Sequence, residues 1–441
     1  MIVKTVYANF ILMFCLVLTL AVGQAKADIT EQEKAILEQI DTMLDEQILF
    51  LEKIVNINSG TMNFEGVREV GTLFEAQFDE LGFETTWLDM PADMQRAGHL
   101  VARLEGDVGK RIMLLGHLDT VFPIDSPFQT FNRDGDMATG PGIEDMKSGD
   151  AIILYALKAL QAAGALEGAQ INIMLTGDEE NAGAPFSLSR GPMVNLAKES
   201  DVVLSFESGR EDVAVIARRG SSMWHLSVTG RRAHSSGIFN NEVGAGAIFE
   251  TSRILNEFYE KVKGEEYLTF NPGLILGGTS IDADFEREVG TAFGKSNVVA
   301  QTVEVHGGLR FLSEEQKERA RDKMREIVAN NLPQTSAEIT FFDRYPAMSP
   351  TEGNMELFDI LKVINQDMGY APLSAVDPSL RGAGDISFVA PYISGIDALG
   401  ATGRYGHTVY EQLDMRSIAP MTKRAALMIY RLIHQDMSED D

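Results

Sequence analysis

The chain has 441 residues, 44% hydrophobic and 23% charged, with a formal charge of −27 from 38 Lys+Arg against 65 Asp+Glu. That length suggests two or three domains with sizeable cores, and it excludes a disordered, collagenous or many-spanning membrane chain. The acidic excess argues against a nucleic-acid partner, and the single cysteine excludes a disulfide framework or a cysteine-built metal site.

Residues 1–27 read as a secretory signal. Lys4 precedes an apolar run from Phe10 to Val22, and Ala25-Lys26-Ala27 closes it in an A-x-A pattern. The run is short for a membrane span at roughly 13 residues. Cleavage after Ala27 is therefore expected, leaving no stable membrane anchor and a periplasmic or secreted protein. The segment carries two lysines, no acid and Cys15, so its loss leaves 414 residues at a charge of −29 without cysteine.

Leu37, Ile40, Leu44, Ile48, Leu51 and Val55 recur at helical steps and predict a docking helix. Ile112 to Gly116, Ile171 to Thr176 and Val202 to Phe206 read as buried strands, with a helix over 152–160 between the first two. Such alternation predicts a mainly parallel α/β sheet covered on both faces. In such sheets ligands bind beyond the carboxyl ends of the strands. The texture changes near Arg218. Strand over 223–228, helix over 241–262, strand over 298–312 and helix over 313–329 suggest an inserted β-α-β-β-α-β-like module, closed by Leu332-Pro333. A helix over 355–368, a strand and loop over 390–400, and a last helix over 418–434 complete the first domain. The expected division is 28–218 and 334–441 for the α/β domain and 219–333 for the insert. The tail Ser438 to Asp441 is expected to be solvated.

Polar chemistry stands at each strand end. Gly116-His117-Leu118-Asp119 places two side chains on one side of an extended segment, so Asp119 can take a ring N–H of His117. Alone, the motif reads by default as a hydrogen-bonded core histidine. Asp145 in Gly140-Pro141-Gly142-Ile143-Glu144-Asp145-Met146-Lys147 reads as a helix cap or as a carboxylate bridging two metals. Thr176-Gly177-Asp178-Glu179-Glu180 reads as a solvated cluster or as a metal ligand beside a general base. Glu207 follows a buried strand, and His407 sits in a glycine-flanked loop. Together, two histidines and three carboxylates form a mixed N/O set suited to Zn²⁺. His99, His225, His306 and His434 read as ordinary structural histidines.

GHLDTV, GPGIEDMK, TGDEE, SFESG and GRYGH resemble, in order and spacing, the di-zinc peptidases and deacylases. These include glutamate carboxypeptidases (carboxypeptidase G-like), aminoacylases, succinyl-diaminopimelate desuccinylases and dipeptidases. The resemblance implies a zinc-peptidase catalytic domain with an inserted α+β, ferredoxin-like dimerisation or lid domain. It implies two Zn²⁺ per subunit, with Co²⁺ or Mn²⁺ as possible substitutes. His117 and Glu207 would hold one ion, Glu180 and His407 the other, with Asp145 bridging. Asp119 would orient His117, and Glu179 would be the general base. His234, in Arg231-Arg232-Ala233-His234-Ser235, would reach the partner subunit's site in a homodimer built through the insert. Asn297 and Arg310 would contact substrate. Gly382-Ala383-Gly384-Asp385 departs from a Gly-Gly-Thr-Asp-like loop in relatives. The acid at Glu207 favours cleavage of a C-terminal amide bond in a peptide or N-acyl amino acid. Alternatives are an N-acyl-amino-acid deacylase or dipeptidase with the same metals, and an inactive peptide-binding relative.

Overall fold

A computed structural model describes residues 29–434 apart from Glu286 and Glu288, so the expected signal and the acidic tail lie outside the described residues. A six-stranded sheet runs in the order Glu84–Leu88, His99–Leu104, Ala169–Thr176, Val108–His117, Val202–Ser205 and Ser394–Ile396. The last four are mutually parallel, and the first two add an antiparallel edge.

Alternation along the central strand explains the layering. Ile112 and Leu114 point to one face, packed under the helices Glu31–Val55, Ser148–Ala162 and Ile418–His434. Met113 and Leu115 point to the other, against Met193, Leu196, Ile386 and Phe388. The stretch buried on both sides, Ile112 to Leu115, is apolar throughout, whereas Lys110 and Arg111 stand where the strand is only half-buried. The opening helix starts at Glu31, earlier than its apolar spacing predicts. Thr30 and Glu33 form a reciprocal capping box there, at 3.2 and 2.7 Å.

The insert holds an antiparallel sheet ordered Thr269–Gly278, Thr302–Phe311, Gly220–Gly230 and Thr335–Asp343. Helices Gly246–Lys261 and Glu314–Ala329 cover one face, over a core of Trp224, Leu226, Val305, Phe258 and Met324. This is the expected β-α-β-β-α-β order, with a hairpin of Ser280–Asp284 and Val289–Phe293 added. The expected end at residue 333 falls one strand short. Pro333 follows the helix, but Gln334 at φ +61° turns the chain back, and Thr335–Asp343 pairs with Gly220–Gly230. The open sheet face carries His225, Glu304 and Arg310, opposite the Trp224 side.

Candidate metal centre

The parallel strands deliver their carboxyl ends to one place. His117 is the last residue of the central strand, Glu207 follows Val202–Ser205, and Glu179 and Glu180 follow Ala169–Thr176. Asp145 comes from the turn Ile143–Lys147 before the buried helix, so it is not that helix's cap. His407 sits at φ +62° in the loop before Gln412–Asp414.

These side chains form two triads that share Asp145. His117, Asp145 and Glu207 offer ligand atoms within 4.8 Å of one another, as do Asp145, Glu180 and His407. Asp145 Oδ1 lies 3.1 Å from His117 Nε2, and its Oδ2 lies 3.0 Å from His407 Nε2. Glu207 Oε1 is 3.9 Å from the first imidazole, and Glu180 Oε2 is 3.2 Å from the second. Glu180 Oε1 is buried with no hydrogen-bond partner. An orphaned buried carboxylate oxygen is costly unless a cation meets it. The residues therefore fit a pair of divalent ions.

Proton affinities show the same unmet demand for positive charge. Hydrogen bonds to the Asp145 and Glu180 carboxylates hold His407 up to about 11. Burial opposes protonation of His117, yet Asp145 and Glu207 raise it well above its ordinary value. Burial and the nearby Asp145 push Glu207 up to about 8. Two imidazoliums stand in for cations among acids that repel one another.

Asp119 does a different job from the expected one. His117 Nδ1 lies 3.0 Å from the Asp119 backbone oxygen and 3.6 Å from its carboxylate. The carboxylate is committed elsewhere: Oδ1 accepts the Glu179 N–H at 2.9 Å, and Oδ2 accepts the Glu180 N–H at 3.2 Å and the Thr61 hydroxyl at 2.6 Å. Asp119 thus orients His117 by backbone and the Glu179–Glu180 loop by side chain. Burial pushes it up to about 7. Glu179 belongs to neither triad. Burial raises its proton affinity, His117 opposes, and Asp385, Glu207 and Glu180 add to the rise.

Sequence reasoning missed the support beneath this loop. Arg190, buried, donates to Asp178 Oδ1 at 2.5 Å, Asp385 Oδ1 at 2.7 Å and the Asp178 carbonyl at 3.1 Å. Asp385 Oδ2 accepts the Thr176 hydroxyl at 2.7 Å. The 382–385 loop is thereby tied to the strand that leads to Glu179. Arg218 holds its other end, through Asp397 and the Gly382 carbonyl. An arginine twelve residues past Asp178 gives no periodic signal.

The insert residues stand apart from this cluster. His234 is exposed, with Nδ1 2.8 Å from Ser236 Oγ. Asn297 shares its turn, accepting the Ser235 N–H at 3.0 Å. Arg310 lies beside Arg219; burial and that neighbour lower its proton affinity. Among the described residues no carboxylate pairs with Arg310. The four remaining histidines sit in structural settings. His99 is buried between the Ser189 carbonyl and the Gly177 N–H, and His225 meets Glu304 at 2.7 Å. His306 packs on Phe285 and His434 on Tyr430.

The model of peptidase family M20/M25/M40 matches residues 113–431. The chain belongs to the M20 peptidase family. Carboxypeptidase G2 of Pseudomonas sp. is 28% identical over 402 residues, covering 88% of this chain and 90% of that protein. A succinyl-diaminopimelate desuccinylase of Gluconacetobacter diazotrophicus is 25% identical over 365 residues, covering 80% and 89%. Among solved structures, an aminopeptidase of Bacillus cereus superposes with a TM-score of 0.69 at 18% identity, covering 88% of this chain and 98% of that one. A dinuclear metal-binding M20 peptidase of Bacillus subtilis gives 0.59 at 15%, covering 89% and 99%. The fold is therefore that of M20 peptidases, and the protein is a metallopeptidase-class hydrolase.

Proposed function

We propose that this M20 protein is a di-zinc carboxypeptidase that removes the C-terminal residue from a peptide or N-acyl amino acid. One observation carries the reading: Asp145 turns one oxygen to each of two histidines, beside a glutamate that neither triad uses. His117 and Glu207 would hold one ion and Glu180 and His407 the other, with Asp145 contributing to both. When bound, the pair supplies Lewis acidity to the scissile carbonyl and to the attacking water. Glu179 takes the water proton as oxygen bonds to the carbonyl carbon. It returns that proton to the leaving nitrogen as the C–N bond breaks, giving a carboxylic acid and an amine, and the acid's proton passes to the amine to leave a carboxylate and an ammonium. Arg310, lacking a carboxylate of its own, suits the substrate's terminal carboxylate. Asn297 would be a second contact to the substrate.

The insert acts as a lid and dimerisation domain. Ile248, Phe249 and Ile275 are exposed, and Thr269–Gly278 leaves one strand edge free. Across such a dimer, His234 of the partner subunit would donate to the oxyanion. Residues 1–27 direct the protein to the periplasm or outside the cell. A second reading, a deacylase such as a desuccinylase, uses the same metals and draws on the desuccinylase likeness.

The test is turnover by metal-loaded protein on longer peptides, dipeptides, N-acyl glutamates and N-succinyl amines. Release of C-terminal residues supports the carboxypeptidase. Cleavage confined to succinyl amides selects the deacylase. No cleavage of any substrate would leave an inactive peptide-binding relative.

A further inference from the structure

Glu411 has no place in the ligand set, yet it is fully buried beside Asp145 and Glu144. A carboxylate there is disfavoured unless the chain gives it strong donors. It receives three. Oε1 accepts the backbone N–H of Glu144 at 2.8 Å and of Asp145 at 3.1 Å, and Oε2 accepts that of Gly142 at 3.2 Å. These N–H groups belong to the turn that carries the bridging aspartate. Glu411 itself ends the loop that carries His407: its own N–H goes to the Thr408 carbonyl at 3.0 Å.

The contact is reciprocal. Glu144, from the Asp145 turn, lies against Gly403 and Gly406 in the His407 loop. A Cβ on Gly403 would stand 2.1 Å from Glu144 Cγ, and one on Gly406 would stand 2.6 Å from Glu144 Oε2. The His407 loop is also strained, with Tyr405 at φ +65° and His407 at φ +62°. Non-glycine residues hold such angles only when their surroundings fix them.

We propose that Glu411 is a positioning residue for the metal centre, clamping the Asp145 turn to the His407 loop and so setting the distance between Asp145 Oδ2 and His407 Nε2. The inference rests on the dinuclear reading above. The clamp acts before any ion binds, because every bond in it lies within the protein. Gln at 411 would turn an N–H₂ toward one of these N–H groups, setting donor against donor.

The test compares full-length wild type, Glu411→Gln and Glu411→Asp, freed of metal by chelation. Each apoprotein is melted, then titrated with Co²⁺ alone, followed by its visible absorption. Outer partners of this kind affect metal affinity by about 10- to 100-fold. Both variants should lose about that much affinity, and the metal-free melting reports separately what the weakened clamp costs the fold. Should Glu411→Gln fail to fold, the aspartate variant, which keeps the charge and withdraws the oxygens by one methylene, decides alone. Adding Glu411→Gln to Asp145→Asn should cost little beyond Asp145→Asn. Affinity within about twofold of wild type, or a further large loss in the double variant, overturns the assignment. A wild type that binds no Co²⁺ sinks the dinuclear reading itself.

Discussion

Replacing Arg190 by Met removes the guanidinium that lies between Asp178 and Asp385. The side chains are 1%, 0% and 5% exposed, so water cannot take over the lost bonds. Met fills much of the same volume, which keeps the cavity contribution small. The cost is then that of leaving buried carboxylates without their cation, about 3–5 kcal/mol. A domain of ordinary stability holds only about 5–15 kcal/mol in total. With a urea dependence of about 3 kcal/mol per M, the midpoint should fall by roughly 1–1.7 M. Two tryptophans separate the domains: Trp87 lies on the edge of the main sheet and Trp224 in the insert core. A Trp224→Phe background therefore leaves Trp87 fluorescence to report the sheet that carries Arg190. A loss below about 1 kcal/mol would refute the view that this cation compensates both acids.

Glu179→Gln should lower kcat by about 10²- to 10⁴-fold, a barrier increase of roughly 3–5 kcal/mol, with metal content unchanged by elemental analysis. Loss of an ion in that variant would mean that base and ligand are exchanged. Metal uptake should release protons. In the metal-free chain His407 is held up to about 11 and is therefore charged at pH 7.5, and Asp145 and Glu207 raise His117 well above its ordinary value. Ligation needs them neutral, and affinity should rise with pH. Calorimetry in buffers of different ionisation enthalpy should find at least about one proton released per chain, and none released contradicts the assignment. His234→Ala and Glu179→Gln, each weak alone, should recover up to about a quarter of wild-type activity when mixed, because half the dimers are hybrids with one complete site. No recovery excludes sharing of His234 across the dimer.

The convergence of the candidate ligands was legible because each member closes an apolar strand or sits in a glycine-flanked loop, where local sequence already restricts direction. His117, Asp145, Glu180, Glu207 and His407 converge as their motifs suggest. Asp119 was legible as a partner of the histidine but not in its main task. Two backbone N–H groups 60 residues away claim its carboxylate, and that follows from strand neighbours rather than spacing. Arg190 and Glu411 were invisible for a related reason. A lone charged residue reads as surface until the chain closes over it. The strand Thr335–Asp343 was hidden by Pro333, which ends a helix in sequence logic yet here begins the turn into an edge strand. Its alternation of exposed and half-covered residues is a weak strand signal, as expected where only one neighbour pairs with it.

Metal stoichiometry of the full-length protein after saturation with Zn²⁺ tests the central claim most directly. A shared Asp145 between two triads predicts two ions per chain, bound at comparable occupancy. One ion per chain, or none, would contradict a dinuclear centre bridged by Asp145.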